Sequence, residues 1–402
     1  MECQLQCIQC GKRYRLREPR LRCGGCGEPL EAVYGVLKPE IEGQGSILRR
    51  FRAFYPFDEV PEDMSLGEGG TPLIQSSVVG EQLGLDCLYF KDETQNPTWS
   101  FKDRGTFCGI QHAISLGYER IGTVSTGNMA ASVAAYGARA GLATFILVSA
   151  GIPAEKIKPI AVYGPRLIRV EGGYHELYDE SLRAGERYDI YFINSDAPFR
   201  VEGSKTTAFE ICEQMHFQGP DYVIIPVSSG GNFRGVLKGF EEFKSAGLID
   251  AVPKLIAVQA EGCAPIAEAF ERGREKVERV RNPKTIAHAI ENPYPPSGNQ
   301  VLRKLRQNGG LALTVSDGEI IEAQCLLAKE GIFGQPAACA PLAAAKRLIG
   351  NEYLKPEDSI VLLITGAGLK VPSALEHLDT PVTSTSIAGL AEAIGKIIES
   401  PC

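Results

Sequence analysis

The sequence predicts an α/β protein with a mostly parallel sheet, because short apolar segments are followed by glycine-containing turns and then by helical patterns. Strands are predicted over 121–124, 223–227 and 360–364, and helices over 129–140 and 233–243. In a parallel sheet, the turns that follow the strands meet at one edge, where ligands bind in open α/β folds. We therefore expect a ligand site at this edge.

The turn after the second predicted strand is the best candidate for a phosphate-binding loop, and it consists of Ser228, Ser229, Gly230, Gly231 and Asn232. Glycines let backbone amides approach an anion, hydroxyls add donors, and the following helix directs its positive end at the same point. The turn matches neither the Walker loop nor the dinucleotide fingerprint. A plain connection between a strand and a helix is the alternative interpretation.

Lys102 is the candidate catalytic residue, in a run from 96 to 105 that reads NPTWSFKDRG. An amine forms a Schiff base with a carbonyl cofactor only when burial or neighbouring cations keep it partly deprotonated. The aromatic Phe101 precedes Lys102, and Arg104 stands two residues beyond it. Alone, such a run is typical of a solvated charge cluster, so the interpretation depends on the other motifs.

Six motifs stand in order along the chain: GEGGTPL at 67–73, SFKDRG at 100–105, STGN at 125–128, NS at 194–195 with RVEG at 200–203, SSGGN at 228–232, and TG at 365–366. Together they resemble the threonine synthase branch of the fold type II pyridoxal-phosphate enzymes. The resemblance runs from about 65 to 372 and continues into an amino-terminal cysteine module. It implies a fold like that of the tryptophan synthase β subunit, with two α/β domains.

The resemblance implies a cofactor site for pyridoxal 5'-phosphate. Lys102 would bind the aldehyde carbon and later move protons. Asn128 would donate to the ring hydroxyl oxygen, and Thr365 would meet the pyridine nitrogen. The cofactor-binding residues would be Lys102, Asn128, Ser228, Ser229, Gly230, Gly231, Asn232 and Thr365.

The resemblance also implies the substrate O-phospho-L-homoserine, which loses phosphate by γ-elimination and gains water at the β carbon to give L-threonine. Arg200 would bind the substrate phosphate through its forked donor set, with Ser195 as hydroxyl partner. Ser125 and Thr126 would contact the substrate as well. Without the motif, a surface arginine is the alternative interpretation of Arg200.

Four positions depart from the commoner family pattern. Met129 stands where many members have a threonine, Ser229 where asparagine is frequent, Ala367 in place of a histidine, and Gln335 in place of a glutamate. These changes leave open another fold type II lyase or β-replacement enzyme, either a threonine or serine dehydratase or a synthase that uses phosphoserine. A binding protein without catalysis is the third hypothesis, and it would be expected to have lost Lys102.

Cysteine spacing predicts a structural zinc ribbon that is closed by four thiolates. Cys7 and Cys10 form one C-x-x-C pair, and Cys23 and Cys26 form another after twelve residues. Gly11, just after the first pair, and Gly24 and Gly25, within the second, suit the tight turns that direct two thiolates at one ion. Disulfide pairing is the alternative interpretation, but the remaining cysteines are scattered as in a reducing cytosol.

Composition is typical of a metabolic enzyme with a large core: 402 residues, 44% hydrophobic, 23% charged and a net charge of -7. The acidic balance argues against general nucleic-acid binding, although the locally basic ribbon leaves a nucleic-acid ribbon as a minor alternative. We expect a cytoplasmic homodimer with an amino-acid substrate, since neither a signal peptide nor an apolar run of transmembrane length is present.

The predicted organisation has five parts. A zinc ribbon (1–35) and a polar linker (36–64) precede a large cofactor-binding domain (65–103 and 211–380), a small α/β domain (104–210) and a tail (381–402). The breaker-rich stretch 292–299 is predicted to be a surface loop that covers the cleft. The tail is predicted to be helical over about 387–399, with Leu390, Ile394 and Ile397 on a face that docks on the body or on a partner subunit.

Overall fold

The computed structural model describes residues 3–18, 20–34, 41, 43–57, 60, 62–151, 154–371, 375 and 381–399. The chain divides into two compact units, Met1–Lys370 and Val371–Cys402. None of the helices in these described ranges combines the length and the apolar character that a membrane span requires.

The strands of the described residues, in chain order, are β1 (Cys3–Cys7), β2 (Arg13–Arg15), β3 (Leu30–Tyr34), β4 (Leu73–Gln75), β5 (Cys87–Asp92), β6 (Arg120–Val124), β7 (Ala143–Ser149), β8 (Arg166–Val170), β9 (Tyr191–Phe192), β10 (Tyr222–Pro226), β11 (Lys254–Ala260), β12 (Leu311–Val315) and β13 (Ser359–Ile364).

The α-helices are α1 (Ile47–Arg50), α2 (Val79–Leu83), α3 (Lys102–Ser115), α4 (Asn128–Arg139), α5 (Ala154–Ala161), α6 (Tyr174–Tyr188), α7 (Pro198–Ser204), α8 (Thr206–Gln214), α9 (Gly231–Ser245), α10 (Pro265–Glu271), α11 (Gly298–Asn308), α12 (Asp317–Lys329), α13 (Pro336–Gly350) and α14 (Leu390–Glu399).

The largest sheet has six strands in the order β12-β11-β10-β13-β5-β4. All neighbouring pairs are parallel except the antiparallel pair at the β4 edge. Successive side chains of β10 point to opposite faces, so Val223 and Ile225 join one apolar core while Ile224 joins the other. Burial of both faces is typical of a parallel sheet that is covered by helices.

A second sheet has four parallel strands in the order β8-β7-β6-β9. The turn after β6 leads into α4, the turn after β10 leads into α9, and β13 ends at Ile364. The predicted α/β class is therefore confirmed, and each of the three predicted strands is present with its bounds within one residue. Helix α9 begins two residues before its predicted start, because Gly231 and Asn232 of the turn already belong to the helix.

The amino-terminal module is an antiparallel three-stranded sheet in the order β2-β1-β3. Its last strand packs on the main body, because Arg234 Nη2 donates to Leu30 O at 3.2 Å and Lys238 Nζ donates to Ala32 O. The hydroxyl of Tyr34 donates to Glu202 Oε2 at 2.6 Å. Buried charged side chains of α7 and α9 thus hold the module against the main body.

The stretch predicted as a polar linker is in part a piece of the core, and that expectation is wrong for residues 47–55. Helix α1 buries Ile47 and Leu48, and the aromatic rings of Phe51 and Phe54 are fully buried. Their ring centroids lie 4.9 and 4.8 Å from that of Phe209 on α8. Burial of these large aromatic side chains stabilises the protein, even though polar residues stand beside them in the sequence.

The breaker-rich stretch is irregular as predicted, up to the start of α11 at Gly298, but it is not wholly a surface loop. Asn292, Pro295 and Ser297 are buried, and Ser297 N donates to Ser229 O at 3.0 Å. The stretch therefore supports the predicted phosphate-binding turn directly.

In the second unit, helix α14 begins at Leu390, three residues after the predicted start. Residues 387–389 form a turn that precedes it. The docking of its apolar face stays a prediction.

Candidate active site

Lys102 is the first residue of α3, and its Nζ lies 4.4 Å from the centroid of the Phe101 ring. Burial, together with the nearby Arg200 guanidinium, lowers the pKa of Lys102 from 10.5 to about 7. An appreciable fraction of the amine is therefore neutral near pH 7, and the neutral amine is the state that attacks a carbonyl carbon.

The cation that depresses this pKa is not Arg104, although Arg104 is the nearer one in sequence. Arg104 is fully buried, and its Nε donates to Glu93 Oε2 at 2.6 Å while its Nη2 donates to Glu210 Oε2 at 2.7 Å. The two carboxylates neutralise the guanidinium and fix it between α3 and α8. Its function in this arrangement is to hold the scaffold together.

Arg200 lies on α7 and is only 4% exposed. Its Nη1 donates to Thr106 Oγ1 at 3.0 Å, and Thr106 follows Lys102 by one helical turn on the same face of α3. The two helices approach closely, since a Cβ on Gly105 would lie 2.7 Å from the carbonyl oxygen of Arg200. The structure thus brings the two predicted residues Lys102 and Arg200 together.

Ser195 lies against the glycine-rich turn. A Cβ on Gly231 would lie 2.2 Å from the carbonyl oxygen of Ser195, so only glycine allows this approach. Gly230 has a φ of +92°, in the left-handed region that favours glycine. The predicted cofactor-phosphate loop therefore lies against the backbone of Ser195, the residue that carries the predicted substrate hydroxyl.

Unpaired polar atoms mark this junction. Within the described part of the chain, Ser195 Oγ and both amide atoms of Asn232 are buried and make no hydrogen bond. An unpaired buried polar group costs about 1–3 kcal/mol. Asn232 stands in the first turn of the 15-residue helix α9, whose amino-terminal end carries the positive pole of the helix dipole. Unpaired donors at such an end suit a bound anion.

The third turn connects to the Lys102 segment through the backbone. Phe101 N donates to Thr365 O at 3.1 Å, and Ser100 pairs with Gly366 as an isolated bridge. Asn128, the first residue of α4, donates from Nδ2 to Gln335 Oε1 at 3.3 Å. The side chain of Thr365 is buried. A Cβ on Gly366 would lie 3.2 Å from Asn128 Nδ2, so Asn128 lies beside the turn that contains Thr365.

Ser125 and Thr126 lie in the turn between β6 and α4, and both are half-buried. Ser125 Oγ accepts from Gly127 N at 3.3 Å, which fixes the turn before Asn128. Met129 follows at 6% exposure. Its thioether lies at the position where a hydroxyl is common, and a thioether has no proton to donate.

Comparison with known proteins adds the family. The family model "Pyridoxal-phosphate dependent enzyme" matches residues 64–366. The threonine synthase of Methanocaldococcus jannaschii is 40% identical over 378 residues, which cover 92% of this chain and 93% of that protein. The threonine synthase of Methanosarcina acetivorans is 34% identical, over 97% of this chain and 98% of that protein. The chain belongs to the threonine synthase family of pyridoxal-phosphate-dependent enzymes.

Solved structures agree on the fold. Maize serine racemase matches with a TM-score of 0.64 at 21% identity, over 82% of this chain and 92% of that chain. An O-ureido-L-serine synthase matches with a TM-score of 0.64 at 19% identity, over 83% of this chain and 100% of that chain. The fold is therefore that of the fold type II enzymes. The family model and the threonine synthase relatives make the protein a pyridoxal-phosphate-dependent lyase.

The site residues fit this cofactor. A lysine with a lowered pKa suits its aldehyde, and the glycine-rich turn with its unpaired Asn232 amide suits its phosphate. Thr365 offers a neutral hydroxyl for a ring nitrogen. When bound, pyridoxal phosphate supplies an electron sink that stabilises negative charge on a carbon next to the substrate amino group.

The four predicted metal ligands also converge. The Sγ atoms of Cys7, Cys10, Cys23 and Cys26 all lie within 4.8 Å of one another, and the four thiols are not paired as disulfides. The Cys7–Cys26 and Cys10–Cys23 sulfur distances are 3.4 and 3.5 Å. Tetrahedral zinc–thiolate geometry requires a sulfur separation of about 3.8 Å. The cluster is thus able to bind a metal ion.

Sequence reasoning missed several residues of this region. Thr106 carried a signal, since it stands four residues after Lys102 and shares its helix face. Gln335 was noted only as a departure from the family pattern, yet it contacts Asn128. Arg22 and Asp196, whose ion pair is described below, carried no local signal, because 174 residues separate them.

Proposed function

We propose that this protein converts O-phospho-L-homoserine into L-threonine and inorganic phosphate. The observation that carries the proposal is the convergence of Arg200 and Ser195 on Lys102 and on the glycine-rich turn, which gives the site two places for a phosphate group. The similarity to threonine synthases over more than nine tenths of the chain supports the same reaction.

Lys102 moves the protons of this reaction. Elimination at Cγ requires removal of a proton from Cα and one from Cβ, and the later steps return protons to Cγ and Cα while water adds at Cβ. An amine with a pKa of about 7 accepts and returns protons with similar ease near neutral pH. Its place at the start of α3 keeps it beside the third turn, because Phe101 N donates to Thr365 O at 3.1 Å.

Arg200 holds the substrate phosphate and then the leaving phosphate, because a forked cation matches the oxygens of a phosphate group. Thr106 orients the guanidinium through the 3.0 Å hydrogen bond. Ser195 adds a neutral donor from its buried hydroxyl. Ser125 and Thr126 bind the amino-acid end of the substrate.

The cofactor would be held by Asn128, by the turn from Ser228 to Asn232, and by Thr365. A neutral hydroxyl at the ring nitrogen does not enforce ring protonation as a carboxylate would, which suits elimination. Gln335 orients Asn128 through the 3.3 Å hydrogen bond between their side chains.

The finer features of the molecule are proposals as well. The four cysteines of the ribbon bind zinc in a structural site, since four thiolates leave no open position for catalysis. Residues 65–103 with 211–380 form the large domain and 104–210 the small one, as the membership of their strands in separate sheets supports. The protein acts as a cytoplasmic homodimer and binds no nucleic acid.

Product analysis tests the proposed reaction. The purified protein is incubated in turn with O-phosphohomoserine, O-phosphoserine, threonine and serine, and amino acids and phosphate are measured. We expect threonine and phosphate in equal amounts from O-phosphohomoserine. Turnover of only a serine or threonine derivative would assign the protein to the rival lyase or β-replacement class. The buried Met129 fits that class, because its thioether cannot donate a hydrogen bond to a substrate phosphate.

Arg200 provides the matching variant. Loss of a buried charge-assisted contact costs roughly 2–5 kcal/mol, so Arg200→Ala should lower kcat/KM for O-phosphohomoserine by about 30-fold or more. Ser195→Ala should act in the same direction but less, because a neutral donor contributes less. Arg187→Ala, at an exposed position on α6, is the control. An unchanged rate in Arg200→Ala would remove Arg200 from phosphate recognition.

A further inference from the structure

Asp196 is the link between the substrate-phosphate residues and the amino-terminal ribbon. It follows Ser195, is fully buried, and stands at the turn that leads into α7. Its Oδ1 accepts from the Tyr178 hydroxyl, and its Oδ2 accepts from Arg22 Nη2 at 2.7 Å. The backbone of this turn is closed by Ala197 N, which donates to Asn194 O at 3.1 Å.

Arg22 belongs to the ribbon and precedes the cysteine Cys23. Its Nη1 donates to Gly27 O at 2.9 Å, so the guanidinium bridges the second cysteine turn and Asp196. Its guanidinium carbon also lies 5.3 Å from the centroid of the Tyr178 ring. Three contacts therefore fix Arg22, and one of them depends on the shape of the turn between Cys23 and Cys26.

The same cysteine turn supports the glycine-rich loop from the other side. Asn299 Nδ2 donates to Glu28 Oε1 at 3.0 Å, and Gln300 Nε2 donates to Pro29 O at 2.9 Å. Arg234 Nη1 donates to Ser297 Oγ at 3.1 Å, and Ser297 N in turn donates to Ser229 O at 3.0 Å. Asp196 alone thus separates Arg22 of the ribbon from Ser195. Arg234, which also donates to Leu30 O, and Ser297 separate the ribbon from Ser229.

The charge of Arg22 has a direct consequence for an anionic substrate. A buried carboxylate beside Ser195 would repel a phosphate group if it were not neutralised, and Tyr178 is a neutral donor. Arg22 cancels this charge through its 2.7 Å contact with Asp196 Oδ2.

We propose that Arg22 is a positioning residue for substrate-phosphate recognition, because its ion pair with Asp196 fixes the Ser195 turn and neutralises the carboxylate beside it. The inference rests on the proposed function. The ribbon therefore contributes to substrate affinity through Arg22 without touching substrate, and the cysteine cluster contributes by keeping Gly27 in place.

The test compares Arg22→Gln, Arg22→Lys and the control Arg17→Gln, an exposed ribbon arginine. Each holoenzyme is assayed for KM and kcat with O-phosphohomoserine, for inorganic phosphate affinity by calorimetry, for zinc content and for cofactor absorbance. Arg22→Gln should raise KM and weaken phosphate binding by about tenfold or more, with kcat, zinc and absorbance nearly unchanged. Arg22→Lys should restore most of the loss, and Arg17→Gln should match the wild type.

The outcomes separate this inference from the proposed function. If the wild type makes threonine and Arg200→Ala is impaired but Arg22→Gln keeps its phosphate affinity, the inference alone fails. Loss of zinc, of cofactor or of folding in Arg22→Gln would overturn it as well, because Arg22 would then be a structural part of the ribbon. If the wild type does not convert O-phosphohomoserine, the proposed function is wrong, and the inference that rests on it is wrong as well.

Discussion

Lys102 depends on two neighbours for its reactivity, and they act through different physics. Burial disfavours the charged amine because water is removed, and Arg200 disfavours it because like charges repel. Arg200 thus has a double role on the proposed function, since the guanidinium that binds the leaving phosphate also prepares the amine. A bound phosphate would partly cancel this second effect.

The lowered pKa gives a testable dependence on pH. The neutral amine is the reactive form, so apoprotein should capture pyridoxal phosphate at a rate that rises through a midpoint near pH 7 and then levels off. Arg200→Gln should move the midpoint to higher pH, because removal of a neighbouring positive charge favours the protonated amine. Arg187→Gln should leave it unchanged. Stopped-flow absorbance measures all three.

Borohydride reduction fixes the bound pyridoxal phosphate to the lysine that holds it, and peptide mapping then identifies that lysine. We expect it on Lys102, and Lys102→Ala should lose turnover. Reduction at another lysine, or a midpoint near 10.5, the ordinary pKa of lysine, would contradict the assignment.

Among the elements, α9 shows how glycines bring the phosphate loop to the substrate residues. A Cβ on Gly235 would lie 2.5 Å from Val201 O, and one on Gly239 would lie 2.4 Å from Lys205 O. With Gly231 these residues recur every four positions, so they form one stripe along the helix. The stripe lets α9 pack directly on the backbone of α7 and α8, which sets the distance between the two phosphate positions.

Gly235→Ala tests the stripe. The opposing atom is backbone, so the helices must separate, and overpacking of this kind costs about 1–3 kcal/mol. Better helix propensity offsets up to about 1 kcal/mol of that. Gly350→Ala, where no atom lies within 4 Å of the added Cβ, is the matched control. The midpoint of thermal unfolding should fall for Gly235→Ala only, and equal midpoints would contradict the packing argument.

The elements that sequence predicts best are those with a local signature. Apolar runs followed by glycine-containing turns predict the three strands, and the spacing of the cysteines predicts the two cysteine pairs. The buried roles of Phe51 and Arg104 did not, because each depends on a partner far away in sequence, Phe209 and Glu210 respectively. A local pattern of charge or polarity contains no information on such partners.

At the scale of the molecule, the ribbon is part of the same compact unit as the sheets. Its strand β3 covers the carboxylate of Glu202, which also pairs with Lys205 at 2.7 Å and with Lys238. A buried group of this kind is stable only while every charge has its partner. Removal of the cover would hydrate Glu202 and loosen α7, on which Arg200 lies.

Removal of the metal ligands tests this relation. The double variant Cys23→Ser with Cys26→Ser should release one zinc ion per chain and loosen the ribbon, because a module of this size is too small to fold alone. We expect cofactor absorbance to persist and KM for O-phosphohomoserine to rise as in Arg22→Gln. Metal analysis and limited proteolysis of the first 34 residues measure the change. Freshly prepared wild type without zinc, or with the four cysteines oxidised in pairs, would refute the zinc site.

The long sequence separations of the ribbon contacts also bear on how the chain is made. Tyr34 meets Glu202, Arg22 meets Asp196, and the carbonyl of Ile8 meets Arg303, so these contacts span 168, 174 and 295 residues. Synthesis begins at the amino terminus, and the ribbon leaves the ribosome long before any of these partners exists. Until then, only local interactions can keep it folded, and a zinc ion bound by its four cysteines, as proposed, would be the strongest of them. With the proposed zinc ion bound, the ribbon would provide a folded surface on which α7, α9 and α11 later assemble.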